Sequence, residues 1–147
     1  MIEIGTGSIL AAKVDALANP VNCVGAMGKG LALAVKQRWP ETYAEYKIAC
    51  DHRQLRPGGI LITWQTKPAI IHVATKDHWR SPSQLEWIRL GVAALRAAVL
   101  THGFRSLAIP ALGCGNGGLS WAVVKPLIEE AFITMPTDVR VLLYEPL

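Results

Sequence analysis

Twice along this chain an apolar, strand-like run ends in a cluster of glycines that opens a helix-like segment. The first cluster is Asn19-Pro-Val-Asn22-Cys-Val-Gly25-Ala-Met-Gly28-Lys-Gly30. The second is Pro110-Ala-Leu-Gly113-Cys114-Gly115-Asn116-Gly117-Gly118-Leu-Ser-Trp121. Glycine lets the backbone approach a ligand closely and take a positive φ. Amides of such a loop, with the N-terminus of the helix behind it, make an anion site suited to phosphates. Either loop alone is equally a flexible connector; two on one small sheet are far more telling.

Neither loop is a familiar nucleotide motif in its usual setting. A Walker A loop needs G-x-x-x-x-G-K-[ST], whereas Gly25 lies too near Gly28-Lys29 and Gly30 replaces the hydroxyl residue. Gly113, Gly115 and Gly118 formally satisfy G-x-G-x-x-G. A Rossmann site, however, carries that motif in its first βα turn, followed by a strand ending in an acidic residue. Here the motif falls in the last βα unit but for one closing strand.

The rest of the pattern predicts an α/β fold. Strands are expected over 2–4, 15–21 (with a turn at Asn19-Pro20), 60–64, 69–75, 106–110 and 139–144. The third and fourth should pair as a hairpin after a Gly58-Gly59 turn. Helices are expected over 31–39, from Pro40 to about Cys50, over 83–101 and over 121–133. The 83–101 helix carries Leu85, Ile88, Val92, Leu95 and Val99 at i+3/i+4 spacing, with Ser81 as expected N-cap and Gly103 as stop. Strands interleaved with helices predict a mixed central sheet covered on both faces, with ligands beyond the carboxyl ends of its strands.

Composition narrows the class. The 147 residues suit one domain, 1–147, and no repeat, linker or low-complexity tract marks a boundary. With 51% apolar and 18% charged residues the chain is not disordered. No apolar run approaches the roughly 18 residues of a membrane span. Met1-Ile2-Glu3-Ile4 does not read as a signal peptide. Cys23, Cys50 and Cys114 are too few and too scattered for a disulfide framework or a C-x-x-C zinc site, so a reduced, cytoplasmic protein without metal or cofactor is expected. A formal charge of +4 and a pI near 9.2 tilt it mildly toward anionic partners, with no basic block of the nucleic-acid-tail kind.

Taken together, these segments resemble the macrodomain family. Asp15-Ala-Leu-Ala-Asn19-Pro-Val-Asn22 with Gly25, Gly28 and Gly30 is similar to the family's "D-A-(I/L)-V-N-A-A-N…G-x-G-G-(G/V)-A" loop. Ile109-Pro-Ala-Leu-Gly113-Cys-Gly115-Asn-Gly117-Gly118 is similar to "(I/M)-P-x-(I/L)-G-x-G-x-x-G", and Gly5-Thr-Gly7-Ser8-Ile9 to the early "x-x-G-D-I" turn. The likeness runs through nearly the whole chain in order. It implies a three-layer α/β/α macrodomain with ADP-ribose across the carboxyl ends of the strands. The ligand contacts it implies are Ser8, Ile9, Asn19, Gly28, Gly30, Leu31, Gly113, Cys114, Gly115, Asn116, Gly117 and Gly118.

His72-Val-Ala-Thr75-Lys76-Asp77-His78-Trp79-Arg80-Ser-Pro-Ser resembles "I-x-x-L-x-T-K-x-x-x-(K/R)-x-P-(S/T)", a stretch of macrodomains that hydrolyse ADP-ribosyl links through a lysine. Gly113-Cys-Gly-Asn-Gly-Gly-Leu119-Ser-Trp121 resembles that subgroup's "G-C-G-x-x-x-L-x-W". The resemblance implies an antitoxin that removes ADP-ribose from thymidine in single-stranded DNA. The implied partners are ADP-ribosylated DNA and a cognate ADP-ribosyltransferase toxin, the latter held by a further C-terminal region of a longer protein. Two departures matter. Ser8 stands where many macrodomains place an Asp on the adenine amino group. Gly117 stands where glutamate-specific relatives carry an acidic residue, which disfavours a protein-glutamate link.

Lys76 is the expected catalytic residue. A lysine there can attack the anomeric carbon, form a Schiff base with the ring-opened ribose, or stabilise developing charge. Asn22 is expected to position the distal ribose, and Asn116 to act similarly. His78, Trp79 and Arg80, joined by Lys67, form a cationic and aromatic group near the expected site, suited to stacking on bases and holding phosphates. Cys23 and Cys114 read as apolar packing, and His72 as a satisfied core histidine. A non-catalytic ADP-ribose reader, or a hydrolase of protein-linked or terminally phosphorylated ADP-ribose, shares both loops.

Overall fold

A computed structural model describes residues 1–146. The elements run β1 (Ile2–Ile4), a 3-10 turn (Ile9–Ala11), β2 (Ala16–Val21), α1 (Gly30–Arg38), α2 (Pro40–Asp51), β3 (Ile60–Thr63) and β4 (Ala69–Ala74). They continue with α3 (Leu85–His102), β5 (Ser106–Ile109), α4 (Trp121–Ile133) and β6 (Arg140–Leu143). The six strands form one sheet in the order β1-β6-β5-β2-β4-β3. All neighbours are parallel except β3 and β4, whose antiparallel pairing makes the expected hairpin and a mixed sheet.

Alternation along the strands sorts side chains between two layers. Ala16 and Ala18 of β2, with Ile71 and Val73 of β4, face Ile88, Val92 and Leu95 of α3 and Val124, Ile128 and Phe132 of α4. On the opposite face Leu17 and Ile70 pack on Val35 and Trp39, while Val21 and Ala74 pack on Tyr46 and Cys50. The result is the three-layer α/β/α arrangement. Gly103 ends α3 in the left-handed region, as its sequence position predicts. No helix of the described residues is long and apolar enough to cross a membrane.

Two local expectations are corrected. β2 continues through Asn19-Pro20 to Val21 instead of turning there. A proline inside a central strand normally removes a ladder bond. Here pairing with β5 ends at Ala16 and Leu17, and the Val21 carbonyl already faces β4, accepting from Thr75 N at 3.0 Å. Pro20 therefore lies on the side that β5 has left, where no donor is needed. The second correction concerns α3, which starts at Leu85 behind Gln84 and is not capped by Ser81. Residues 81–84 are held outside the helix: Ser81 N donates to His78 O at 3.0 Å and Ser83 N to Gly117 O at 3.0 Å.

Candidate functional site

β5, β2 and β4 are adjacent and parallel, so the segments leaving their carboxyl ends share one edge of the sheet. These are the second glycine loop, the first glycine loop and the Lys76 segment. The register pairs Val21 with Ala74, and Thr75 N and Lys76 N both donate to Val21 O, at 3.0 and 3.4 Å. Asn22 and Lys76 thus leave neighbouring strand ends side by side. Cys23 N, donating to Asp77 O at 3.1 Å, ties the two segments one residue further on.

The first loop is organised by Asn22, which is buried. Its Oδ1 accepts from the Tyr46 hydroxyl (2.8 Å), Val24 N (3.1 Å) and Ala26 N (3.3 Å), and its Nδ2 donates to Ala26 O (2.8 Å). Tyr43 adds a bond from its hydroxyl to Gly25 O at 3.0 Å. Gly28, Lys29 and Gly30 are exposed, and the loop runs directly into α1. Leu33 N makes the first α1 bond, to Lys29 O at 3.2 Å, so the amides of Gly30, Leu31 and Ala32 have no acceptor within the helix. That is a seat for negative charge.

The second loop offers another. It is closed by Leu119 N to Gly113 O (2.9 Å) and Gly118 N to Gly115 O (3.2 Å). The amides of Gly115, Asn116 and Gly117 find no acceptor among the described residues. Gly113, at φ 74, makes the reversal that a residue with a Cβ rarely adopts. The loops meet at their tips: a Cβ on Gly30 would sit 3.9 Å from Asn116 Nδ2. The early turn joins them through packing, since Ile9 and Leu31 lie against the same cluster of Leu17, Val35, Trp39 and Ile70. Ser8 is exposed, and its Oγ caps the 3-10 turn by accepting from Leu10 N at 3.2 Å.

Lys76 is half-buried, and its Nζ donates to Trp79 O at 3.2 Å. His78 Nδ1 accepts from Arg80 N at 3.1 Å, which leaves its proton on Nε2. The His78 and Trp79 rings lie 5.1 Å apart, and the Arg80 guanidinium lies 4.6 Å over the indole of Trp79, which is exposed. Burial pushes the thiols of Cys23 and Cys114 up, Cys23 to about 12, with Cys50 and Asp77 adding to the Cys23 shift. Both thiols stay protonated and pack against apolar clusters.

Asn19 is not among the residues facing this edge. It is fully buried in β2, paired in register with His72, and its Nδ2 donates to His72 Nδ1 at 3.1 Å. Strand alternation sends it into the layer under α2, so the expected contact with a ligand is withdrawn. Lys67 is also misplaced by the sequence reading. It precedes β4, whereas Lys76 follows it, and a six-residue strand separates the two by about 20 Å. Sequence reasoning missed two residues. Tyr46 holds Asn22, and its one signal was a phenol on a core-facing helix position, where a buried hydroxyl requires a partner. Ser83 holds Gly117, a contact across 34 residues that no local pattern announces.

A family model described as Macro domain matches residues 18–128. A relative from Mycobacterium tuberculosis (strain ATCC 25618 / H37Rv), named DNA ADP-ribosyl glycohydrolase, is 41% identical over 150 residues, 99% of this chain and 42% of the relative. One from Thermosipho africanus (strain H17ap60334), a DNA ADP-ribosyl transferase-DNA ADP-ribosyl glycohydrolase fusion protein, is 31% identical over 161 residues, 97% of this chain and 42% of the relative. This chain therefore spans less than half the length of these curated relatives. Among solved structures, the macrodomain of Mycobacterium tuberculosis DarG superposes with a TM-score of 0.96 at 40% identity, covering 100% of this chain and 99% of that one. Thermosipho africanus DarTG in complex with ADP-ribose gives a TM-score of 0.91 at 30% identity, covering 99% of this chain and 42% of that one. Matched by the model through both glycine loops and the lysine segment between them, and by these folds from end to end, the chain belongs to the Macro domain family.

Proposed function

We propose that this chain is an ADP-ribosyl glycohydrolase that removes ADP-ribose from modified nucleic acid, with thymidine in single-stranded DNA as the modified nucleoside. The observation that carries the reading is the convergence of two amide-rich loops with Asn22 and Lys76 at the ends of three adjacent parallel strands. The free amides of Gly30 and Leu31 and those of Gly115, Asn116 and Gly117 suit the two phosphates of ADP-ribose. The fixed side chain of Asn22 orients the distal ribose, and Gly28 and Cys114 line its surroundings through their backbone.

Water adds to the anomeric carbon of that ribose, the bond from carbon to the base nitrogen breaks, and the nitrogen takes up a proton. Lys76 supplies positive charge beside this centre, or its amine forms the bond to carbon first and water releases the sugar afterwards. His78, Trp79 and Arg80 suit the nucleic acid around the modified base: an indole for stacking and a guanidinium for phosphate. The names of the Mycobacterium and Thermosipho relatives support this substrate class. For a longer protein containing this domain we propose an ADP-ribosyltransferase toxin as partner. The fusion of both activities in the Thermosipho relative supports that pairing. Three free cysteines are in keeping with a reducing cytoplasm.

The test is release of ADP-ribose from a single-stranded oligonucleotide modified on thymidine. Wild type is expected to release it, and Lys76→Ala to lose at least about 100-fold in rate, in the range of a removed acid–base or nucleophilic group, while still binding ADP-ribose in calorimetry. Binding without release by wild type would replace the hydrolase with a non-catalytic reader. Unchanged turnover in Lys76→Ala would remove the lysine from the mechanism. Borohydride trapping of the sugar on wild type alone would select the covalent route.

A further inference from the structure

Beside the site lies a second concavity. The chain leaving α2 passes the end of β4, held there by Gly58 N to Ala74 O (2.8 Å) and Ala74 N to Gly59 O (2.9 Å). It encloses a groove of about 380 Å³ lined by Cys23, Arg53, Leu55, Arg56, Pro57 and Asp77. The volume falls within the ~300–1,000 Å³ of small-molecule sites. Cys23 follows Asn22 directly and Asp77 follows Lys76 directly, so the groove begins where the reacting centre ends.

Its chemistry is two-sided. Buried Leu55, Pro57 and the protonated Cys23 thiol make an apolar floor. Two exposed guanidinium groups, Arg53 and Arg56, stand on the rim against the single carboxylate of Asp77. Neither arginine belongs to any of the ion pairs of the described residues. A free anion would need no apolar floor, and an apolar ligand would need no arginines. A nucleotide unit needs both.

Arg53 carries an independent signal. It is the one non-glycine residue with positive φ among the described residues, at φ 54. It closes α2 in a Schellman turn, Arg53 N donating to Cys50 O (3.0 Å) and Gln54 N to Ala49 O (2.9 Å). Glycine is the ordinary residue for that position, because a Cβ there is strained. The Arg53 side chain makes no hydrogen bond among the described residues that would offset the strain. Strained residues that the fold does not need gather at functional surfaces.

We propose that this groove holds the single-stranded polynucleotide flanking the modified nucleotide, with a nucleoside on Leu55 and Pro57 and its phosphates on Arg53 and Arg56. The inference rests on the reading of the neighbouring site as a DNA ADP-ribosyl hydrolase. The test compares wild type, Arg53→Gly and Arg53→Gly/Arg56→Ser on two substrates with the same linkage: an ADP-ribosylated oligonucleotide and an ADP-ribosylated mononucleotide. The double variant is expected to raise KM for the oligonucleotide about tenfold near physiological salt. It should also reduce the slope of log KM against log salt by about 1.4, two single-strand phosphate contacts at roughly 0.7 each. KM for the mononucleotide and the Kd for ADP-ribose should stay unchanged, and Arg53→Gly should raise the thermal midpoint as the strain is released.

An unchanged oligonucleotide-to-mononucleotide ratio overturns the groove and leaves the hydrolase standing. Equal loss on both substrates overturns it too, since the arginines would then serve the site itself. A lowered midpoint in Arg53→Gly removes the argument from strain, and the proposal with it. If wild type releases ADP-ribose from neither substrate, the hydrolase reading fails and takes this inference with it.

Discussion

Asn22 commits its Oδ1 to three donors and one of its two Nδ2 hydrogens to Ala26 O, so a single N–H is left for the proposed contact with the distal ribose. The direction of that N–H is set by the groups around it, and the Tyr46 hydroxyl is the one that comes from a rigid element. It lies 2.7 Å from Asn22 O and 2.8 Å from Oδ1, on a fully buried ring. Burial, with the Cys50 thiol beside it, pushes the phenol well above its ordinary range, so it remains a donor at any working pH. Tyr46 is therefore a positioning residue that acts through Asn22. Tyr46→Phe removes the donor, so that the Asn22 carbonyl loses its partner and Oδ1 keeps only Val24 N and Ala26 N. If the roughly 1–1.5 kcal/mol of such a bond is felt mainly in the transition state, kcat falls about tenfold. The Kd for ADP-ribose should move by less than about threefold, since the loop amides proposed for the phosphates are untouched. Equal damage to kcat and to ADP-ribose binding would make Tyr46 an ordinary packing residue.

At the scale of elements, the second loop is shaped from outside itself. Ser83, two residues ahead of the start of α3, donates its N–H to Gly117 O, and its Oγ lies beside the Gly117 α-carbon. A Cβ at 117 would collide with that Oγ and lie 2.5 Å from Gly113 O, a backbone atom that cannot turn aside. Gly117→Ala should therefore displace the loop amides and weaken ADP-ribose binding by at least about tenfold, the worth of one or two lost charge-assisted bonds, measurable by calorimetry. Gly117→Asp should fail to create a glutamate-linked hydrolase for the same reason, and a smaller residue at 83 should not rescue it, because Gly113 O stays in the way. Ordinary affinity in Gly117→Ala would show that the loop yields easily. The loop's position between β5 and α4 was legible in the sequence, because glycines, apolar runs and helix periodicity are local signals. So were the hairpin and the left-handed stop at Gly103. What escaped was non-local. Pro20 reads as a turn until β5 is seen to end before it. Ser81 reads as a cap until Ser83 is seen to be tied to Gly117. Lys67 reads as a neighbour of Lys76 until β4 is laid between them. Asn19 sits in the glycine-loop motif, yet strand alternation buries its side chain.

Across the whole molecule one buried polar line joins four elements, and it makes the fold sensitive to acid. Asn19 of β2 donates to His72 Nδ1 of β4 (3.1 Å), which places the imidazole proton on Nε2, facing Thr63 Oγ1 of β3 at 3.2 Å. Thr63 Oγ1 lies 3.3 Å from Thr42 Oγ1 of α2, and the Tyr46 ring lies over the imidazole at 5.6 Å. His72 is fully buried with no carboxylate in this line, so burial alone lowers its pKa from 6.5 to about 3. The sign follows from which state takes the proton. Below about pH 6.5 the unfolded chain protonates this histidine and the folded chain does not, so stability is full above 6.5 and is lost as pH falls toward 3. The slope attributable to this one group approaches about 1.4 kcal/mol per pH unit within that window. Urea unfolding at pH 7, 6, 5 and 4.5 should show that loss, and His72→Gln, which keeps a polar side chain but does not titrate, should show a shallower one. Carboxylates add their own slope at the acid end, so the NMR signal of the ring decides the assignment. His72 Cε1–H should hold its neutral shift down to pH 4.5. A titration of His72 near 6.5, or an equal slope in His72→Gln, would mean that the centre of the sheet admits water and that the polar line is not what fixes α2, and with it Tyr46 and Asn22, over the site.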